Sequence, residues 1–215
     1  MATPHRTGPA RRPPDPADLP SDLLRERILA VADREPVLPE LPDDTRLAAV
    51  LIPILAAGDR PRLVFTRRAD HLSRHAGEIS FPGGLADDGE HLAATALREV
   101  EEELGLAPTD VELLGATTAV HTHVTGILVV PYVGMLWTDP AYVPNAGEIA
   151  EVLEFPLADL AGAHREEEWE WQGRKFMTNV FAMGDAVIWG ATARILALFL
   201  DRLRGATGLE VILPS

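Results

Sequence analysis

The chain has 215 residues, 47% hydrophobic and 24% charged, the balance of a globular domain with a sizeable core. Its net charge of −14, with Lys175 as the only lysine, argues against sequence-independent binding along a nucleic acid, and no apolar run approaches the ~20 residues that span a bilayer. The absence of cysteine removes disulfides, zinc–thiolate sites and cysteine nucleophiles together. Residues 1–20 hold six prolines and little that can pack, and read as a disordered arm. The arm has arginines but no apolar stretch, so a secretory leader is not expected and the cytoplasm is the default location.

From Ser21, which can cap, Leu23, Leu24, Ile28, Leu29 and Ala32 recur at helical spacing. "RLAAVLIPIL" (46–55) and "RLVFTR" (62–67) look like paired strands around a Gly58-Asp59 turn. A glycine-rich segment then leads into a helix at about 91–104. "VELLGATTAV" (111–120), "ILVVPYVGMLW" (127–137) and "IAEVLEFP" (149–156) read as strands, the last followed by a short turn at "LADL". "EWEWQG" and "RKFMTNVF" form a hairpin turning at Gln172-Gly173, and residues 186–203 read as a buried helix with Trp189 in its core pattern. Such alternation without a repeat predicts one α/β or α+β layered domain over 21–205, with 206–215 as a tail.

The helix at 91–104 carries Glu99, Glu101, Glu102 and Glu103 within five positions. At about 100° per residue, Glu103 falls roughly 40° to one side of Glu99 and Glu102 roughly 60° to the other, while Glu101 points away. Ala93, Ala96, Leu97, Val100 and Leu104 gather on the adjoining core face. Three converging carboxylates repel unless a cation sits among them, and oxygen-only ligands suit Mg²⁺ or Mn²⁺; a solvated acidic face is the plain alternative. Glu90, at the helix start, can reach Arg98 and tie the loop to the helix, a structural pair. Gly83 and Gly84 let backbone approach a ligand closely.

Residues 84–106 read G-x5-E-x7-R-E-V-x-E-E-x-G-L, which resembles the Nudix box without a break. The resemblance implies a Nudix-type α/β/α sandwich with a mixed sheet between helices. It also implies metal-dependent hydrolysis of a nucleoside diphosphate joined to another group. On that basis Glu99, Glu102, Glu103 and the Gly84 carbonyl are the metal ligands.

Upstream, "VFTRRADHLSRHAGEISFPGG" (64–84) resembles the signature of the coenzyme A pyrophosphatase branch of that family. One position departs: Ser73 stands where the pattern has arginine, with Arg74 next to it. The resemblance implies cleavage of coenzyme A or its acyl derivatives to 3′,5′-ADP and 4′-phosphopantetheine. Arg67, Arg68, Arg74 and His75 form a basic cluster in an acidic chain, suited to a third phosphate, with Gly83 beside it; ion pairing with nearby carboxylates is the competing role. Glu148 and Glu102 are the candidate bases, and His121 and His123 are weaker ones. Another nucleoside diphosphate such as ADP-ribose is the alternative substrate, and a non-catalytic nucleotide-binding module the alternative class. Neither nucleic acid nor membrane is an expected partner, and a homodimer is left open.

Overall fold

The computed structural model describes residues 15–42, 45–72, 75–122, 126–171 and 173–205. A 3-10 turn at Pro16–Asp18 precedes α1 (Ser21–Val31), then β1 (Arg46–Leu55), β2 (Arg62–Arg68), β3 (Ile79–Ser80) and β4 (Gly83–Leu85). Next come α2 (Leu92–Leu104), β5 (Glu112–Ala116), β6 (Val120–His121), β7 (Ile127–Leu136), β8 (Ile149–Pro156) and α3 (Leu157–Ala163). The chain closes with β9 (His164–Trp171), β10 (Arg174–Met183), β11 (Ala186–Ile188) and α4 (Gly190–Arg204).

The larger sheet runs β3-β2-β1-β7-β5, with β4 joined to β1, β6 to β7 and β8 to β2. It is mixed: β1 and β7 pair in parallel from Arg46↔Ile127 to Leu55↔Leu136, and the other pairings are antiparallel. Alternation along β1 puts Ala49, Leu51 and Leu55 into one core and Ile52 and Ile54 into the other. Leu92, Ala96, Val100 and Leu104 of α2 close the first; Leu24 and Ile28 of α1 with Leu196 and Phe199 of α4 close the second. Each fully buried leucine or isoleucine contributes about 1.5–3 kcal/mol of transfer free energy. The sheet thus lies between helices, as the sequence resemblance implies. A smaller sheet, β11-β10-β9, stands beside it. Among the described residues, no helix is long and apolar enough to cross a membrane.

The structure corrects several details. Ser21 does not cap α1: Pro20 holds the N-cap position, and the Ser21 hydroxyl donates to the Ala56 carbonyl. Residues 15–20 are ordered against the domain, with Ala17 buried and Asp15 bonded to Arg204. Residues 111–120 break into two short strands, and "LADL" opens the two-turn helix α3. The helix predicted from residue 186 begins only at Gly190, since Ala186–Ile188 pairs with Met183–Phe181 of β10. Gly190 has φ 65°, so the chain turns sharply between strand and helix, a break that an uninterrupted apolar run conceals. Trp189 is therefore not core: it is 39% exposed, at the N-cap of α4.

Candidate active site

α2 ends at Gly105, whose left-handed φ of 70° lets its N–H return to the Glu101 carbonyl. At the other end, Glu90 ties the loop to the helix. It accepts from the Asp87 N–H (3.1 Å), the Thr95 hydroxyl (2.8 Å) and two nitrogens of Arg98 (3.0 and 3.2 Å). The Arg98 bonds, then those from Asp87 and Thr95, hold the Glu90 carboxyl down at about 2. Arg98 also donates to the Leu85 carbonyl, 3.2 Å away, which pins β4 to the helix.

One nitrogen of Arg98, Nη1, faces the acidic run and donates to both Glu99 (2.8 Å) and Glu102 (3.2 Å). Glu99 lies under the loop: a Cβ on Gly84 would stand 2.5 Å from its carboxylate, so any side chain there would push that carboxylate aside. Burial pushes the Glu99 carboxyl up, and Arg98 opposes it. Glu103 is 5% exposed, takes a hydrogen bond from the Gly83 N–H, and leaves Oε2 buried with no partner among the described residues. Burial first, then the charge of Glu99, pushes its carboxyl up to about 8, while Gly83 and Arg68 pull the other way. Glu101 is exposed and faces away, as the helical wheel requires.

Glu148 arrives from the loop between β7 and β8. The Asn145 N–H donates to the Glu103 carbonyl (3.0 Å), and the Asn145 side chain accepts from the Gly147 N–H (3.0 Å). The Ala69 N–H donates to the Glu148 carbonyl at 2.8 Å, so this loop is stitched both to α2 and to the segment after β2. The negative charge of Glu148 is felt at both Glu99 and Glu103. Asn145 escaped the sequence reading, although Asn-x-Gly is an Asx-turn pattern that could have marked it.

The structure thus brings together Gly83, Gly84, Arg68, Glu99, Glu103 and Glu148, with Glu102 joined through Arg98. The basic cluster divides. Arg67 donates to Glu151 at 2.9 Å and His75 pairs with Glu78 at 2.8 Å, so both are engaged. Arg68 feels Glu103, and its Nε is buried without a partner among the described residues. Ser73, Arg74 and His123 lie outside the described residues. His121 sits on β6 opposite Leu128 of β7.

Among the described residues, no three His, Cys, Asp or Glu side chains stand at metal-holding spacing, and Arg98 bonds both Glu99 and Glu102. The donor set nevertheless fits a hard divalent cation. Glu103 presents an orphaned buried oxygen whose ionisation is favoured by nearby positive charge, and the carboxylates of Glu99 and Glu148 act on it.

The family model described as NUDIX domain matches residues 45–180. "Uncharacterized Nudix hydrolase NudL" of Shigella flexneri serotype 5b is 36% identical over 186 residues, covering 81% of this chain and 86% of its own length. The protein of the same name from Yersinia pestis (strain Pestoides F) is 38% identical over 154 residues, covering 70% and 76%. Among solved structures, the MutT protein from Methanosarcina mazei Go1 superposes with a TM-score of 0.51 at 17% identity, covering 80% of this chain and all of that one. The MutT/nudix family protein from Enterococcus faecalis gives 0.54 at 18% identity, covering 79% and 65%. These two likenesses bear on the fold.

Proposed function

Because this chain belongs to the Nudix family and is a hydrolase of a nucleoside diphosphate derivative, we propose that its substrate is coenzyme A or an acyl-coenzyme A. The products are 3′,5′-ADP and 4′-phosphopantetheine or its acyl form. The observation that carries this reading is Arg68, a guanidinium beside the carboxylates whose buried Nε has no partner among the described residues. Coenzyme A presents one more phosphate than the diphosphate being cleaved, and a guanidinium beside the reaction site with a donor unused among the described residues suits that dianion. Arg74, next to Ser73 in the same signature segment, is its assigned companion.

Glu99, Glu102, Glu103 and the Gly84 carbonyl are the assigned ligands of Mg²⁺ or Mn²⁺. When bound, the ion supplies positive charge against the diphosphate and lowers the pKa of water. The chain's own groups do the rest. Gly83 holds Glu103 in place through its N–H, and Arg98 keeps Glu99 and Glu102 on the same side of α2. Glu148 takes the proton from the attacking water, with Glu102 as the other candidate base. The water oxygen bonds to phosphorus, the bridging P–O bond breaks, and its electron pair leaves with the second phosphate.

The test is a substrate panel with Mg²⁺ and with Mn²⁺: coenzyme A, 3′-dephospho-coenzyme A and ADP-ribose, with products separated by chromatography. The expected result is release of 3′,5′-ADP from coenzyme A, faster than either other substrate is cleaved. Equal rates with and without the 3′-phosphate would remove the role given to Arg68. Preference for ADP-ribose would favour the second reading, to which Ser73 points. Binding without cleavage of any substrate would indicate a nucleotide-sensing module.

A further inference from the structure

Glu148 is exposed, and an exposed glutamate samples several rotamers unless a neighbour holds one. A general base works only within hydrogen-bond reach of the proton it takes, so its carboxylate has to be aimed. Asn145 is placed to aim it through all of its polar groups. The Asn145 N–H donates to the Glu103 carbonyl at 3.0 Å, on the last turn of α2. The Asn145 carbonyl accepts from the N–H groups of Glu148 (2.9 Å) and Ile149 (2.8 Å), which closes a turn over 145–149. Its side-chain Oδ1 accepts from the Gly147 N–H at 3.0 Å. That bond fixes which way the amide faces, because only its oxygen can accept. Nδ2 is therefore the atom turned toward Glu148, and it donates to Oε1 at 3.5 Å, the long end of the hydrogen-bonding range.

The rest of the loop is fastened independently of this side chain. The Tyr142 hydroxyl donates to Glu154 at 2.9 Å, and Arg62 pairs with the same carboxylate at 3.0 Å. The Val143 N–H donates to the Leu104 carbonyl at 2.8 Å, and Ile149 is buried where β8 begins. These anchors hold the path of the chain from 142 to 149. What the Asn145 side chain adds is direction: one residue ties the Glu148 carboxylate to the backbone of Glu103, whose own side chain is an assigned metal ligand.

We propose that Asn145 is a positioning residue that aims Glu148 at the attacking water, a role that rests on Glu148 being the base. Asn145 acts only through the Glu148 carboxylate, and its Nδ2 donor is the group that matters. Aspartate at 145 would keep the acceptor for the Gly147 N–H, and with it the turn, but would face Glu148 with a second anion in place of a donor.

The test is steady-state kinetics with Mg²⁺, on whichever of the three substrates above is cleaved, for Asn145→Ala, Asn145→Asp, Glu148→Gln and the double variant Asn145→Ala with Glu148→Gln. Asn145→Ala is expected to lower kcat about 10- to 100-fold with KM within about 2-fold, the scale of a misplaced catalytic group. It should add nothing to the loss already present in Glu148→Gln, because the two residues act as one unit. Asn145→Asp should keep the melting temperature of the unmodified protein and still lose kcat, whereas a turn with a structural role alone would be restored by it. Independent, multiplying losses in the double variant, full kcat in Asn145→Asp, or a rise in KM with kcat unchanged would each overturn the proposal. If Asn145→Ala costs nothing while Glu148→Gln is severely slowed, the positioning role falls and Glu148 stands as the base. If Glu148→Gln keeps its kcat, both fall together.

Discussion

Two runs of glutamate, EVEEE at 99–103 and REEEWE at 165–170, look alike in composition and end in different chemistry. On α2 the 3.6-residue turn collects Glu99, Glu102 and Glu103 on one side, and the neighbouring loop sinks Glu103 until it is 5% exposed. On β9 the two-residue repeat deals successive glutamates to opposite faces, and Glu166, Glu168 and Glu170 stay exposed. A charge run becomes a site when backbone period and burial force carboxylates together out of water. Where the backbone spreads them in solvent, it stays a charged surface, however many carboxylates it has.

The sharpest way to break this contrast is Glu103→Gln, which keeps shape and the acceptor for the Gly83 N–H but removes the charge. Activity is expected to fall roughly 100- to 1,000-fold with little change in thermal stability, whereas Glu166→Gln leaves the rate within about 2-fold. Comparable losses from both would dissolve the distinction. Next in size is Gly84→Ala. The new Cβ meets the Glu99 carboxylate at 2.5 Å, and a loss of about 10- to 100-fold in turnover is expected as that side chain is displaced. On the hairpin, Gly173→Ala meets nothing within 4 Å, and its φ of 76° makes the cost purely one of backbone. There we expect about 1 kcal/mol less stability by denaturant unfolding, with turnover unchanged.

The difference between the two runs also explains what could be read in advance. Arg98 and the three glutamates of α2 were legible because spacing on one helix fixes their relative directions, and the tie from Arg98 back to Glu90, just ahead of the helix, appears at 3.0 Å. The long strands up to residue 156 were legible because turn residues punctuate them, whereas the short β3 and β4 of the glycine-rich segment, and the break between β5 and β6, were not. The β11–α4 boundary was not, since "AVIWGATARILALF" is apolar in either period and only the backbone at Gly190 decides. Nor could sequence say which arginine is engaged. Arg67 and Arg68 are neighbours, but β2 turns one toward Glu151 on β8, and the other feels Glu103 across the tertiary fold.

A milder test uses pH. The folded-state carboxyl of Glu90 is depressed to about 2 by Arg98, so its contribution to stability is present in full above the unfolded value near 4.5 and is lost as pH falls through about 2. The melting temperature of the unmodified protein is expected to exceed that of Glu90→Gln at pH 6. The gap should narrow steadily between about pH 4.5 and pH 2, following the titration window of this one group. A gap that stays constant across that range would mean that Glu90 acts through shape and not through charge.

The smallest effect belongs to the hairpin. Glu168 and Lys175 are 55% and 65% exposed, and their 2.6 Å ion pair lies in solvent. Exposed pairs recover little once side-chain ordering and screening are counted, so Glu168→Gln should change unfolding free energy by less than about 0.5 kcal/mol. Its effect should vanish at high salt. A loss of more than about 1 kcal/mol would place the pair among the strongest surface ion pairs. It would also make the register between β9 and β10 depend on this contact, when Val180, Phe181 and Ile188, buried at the base of the sheet, should already fix it.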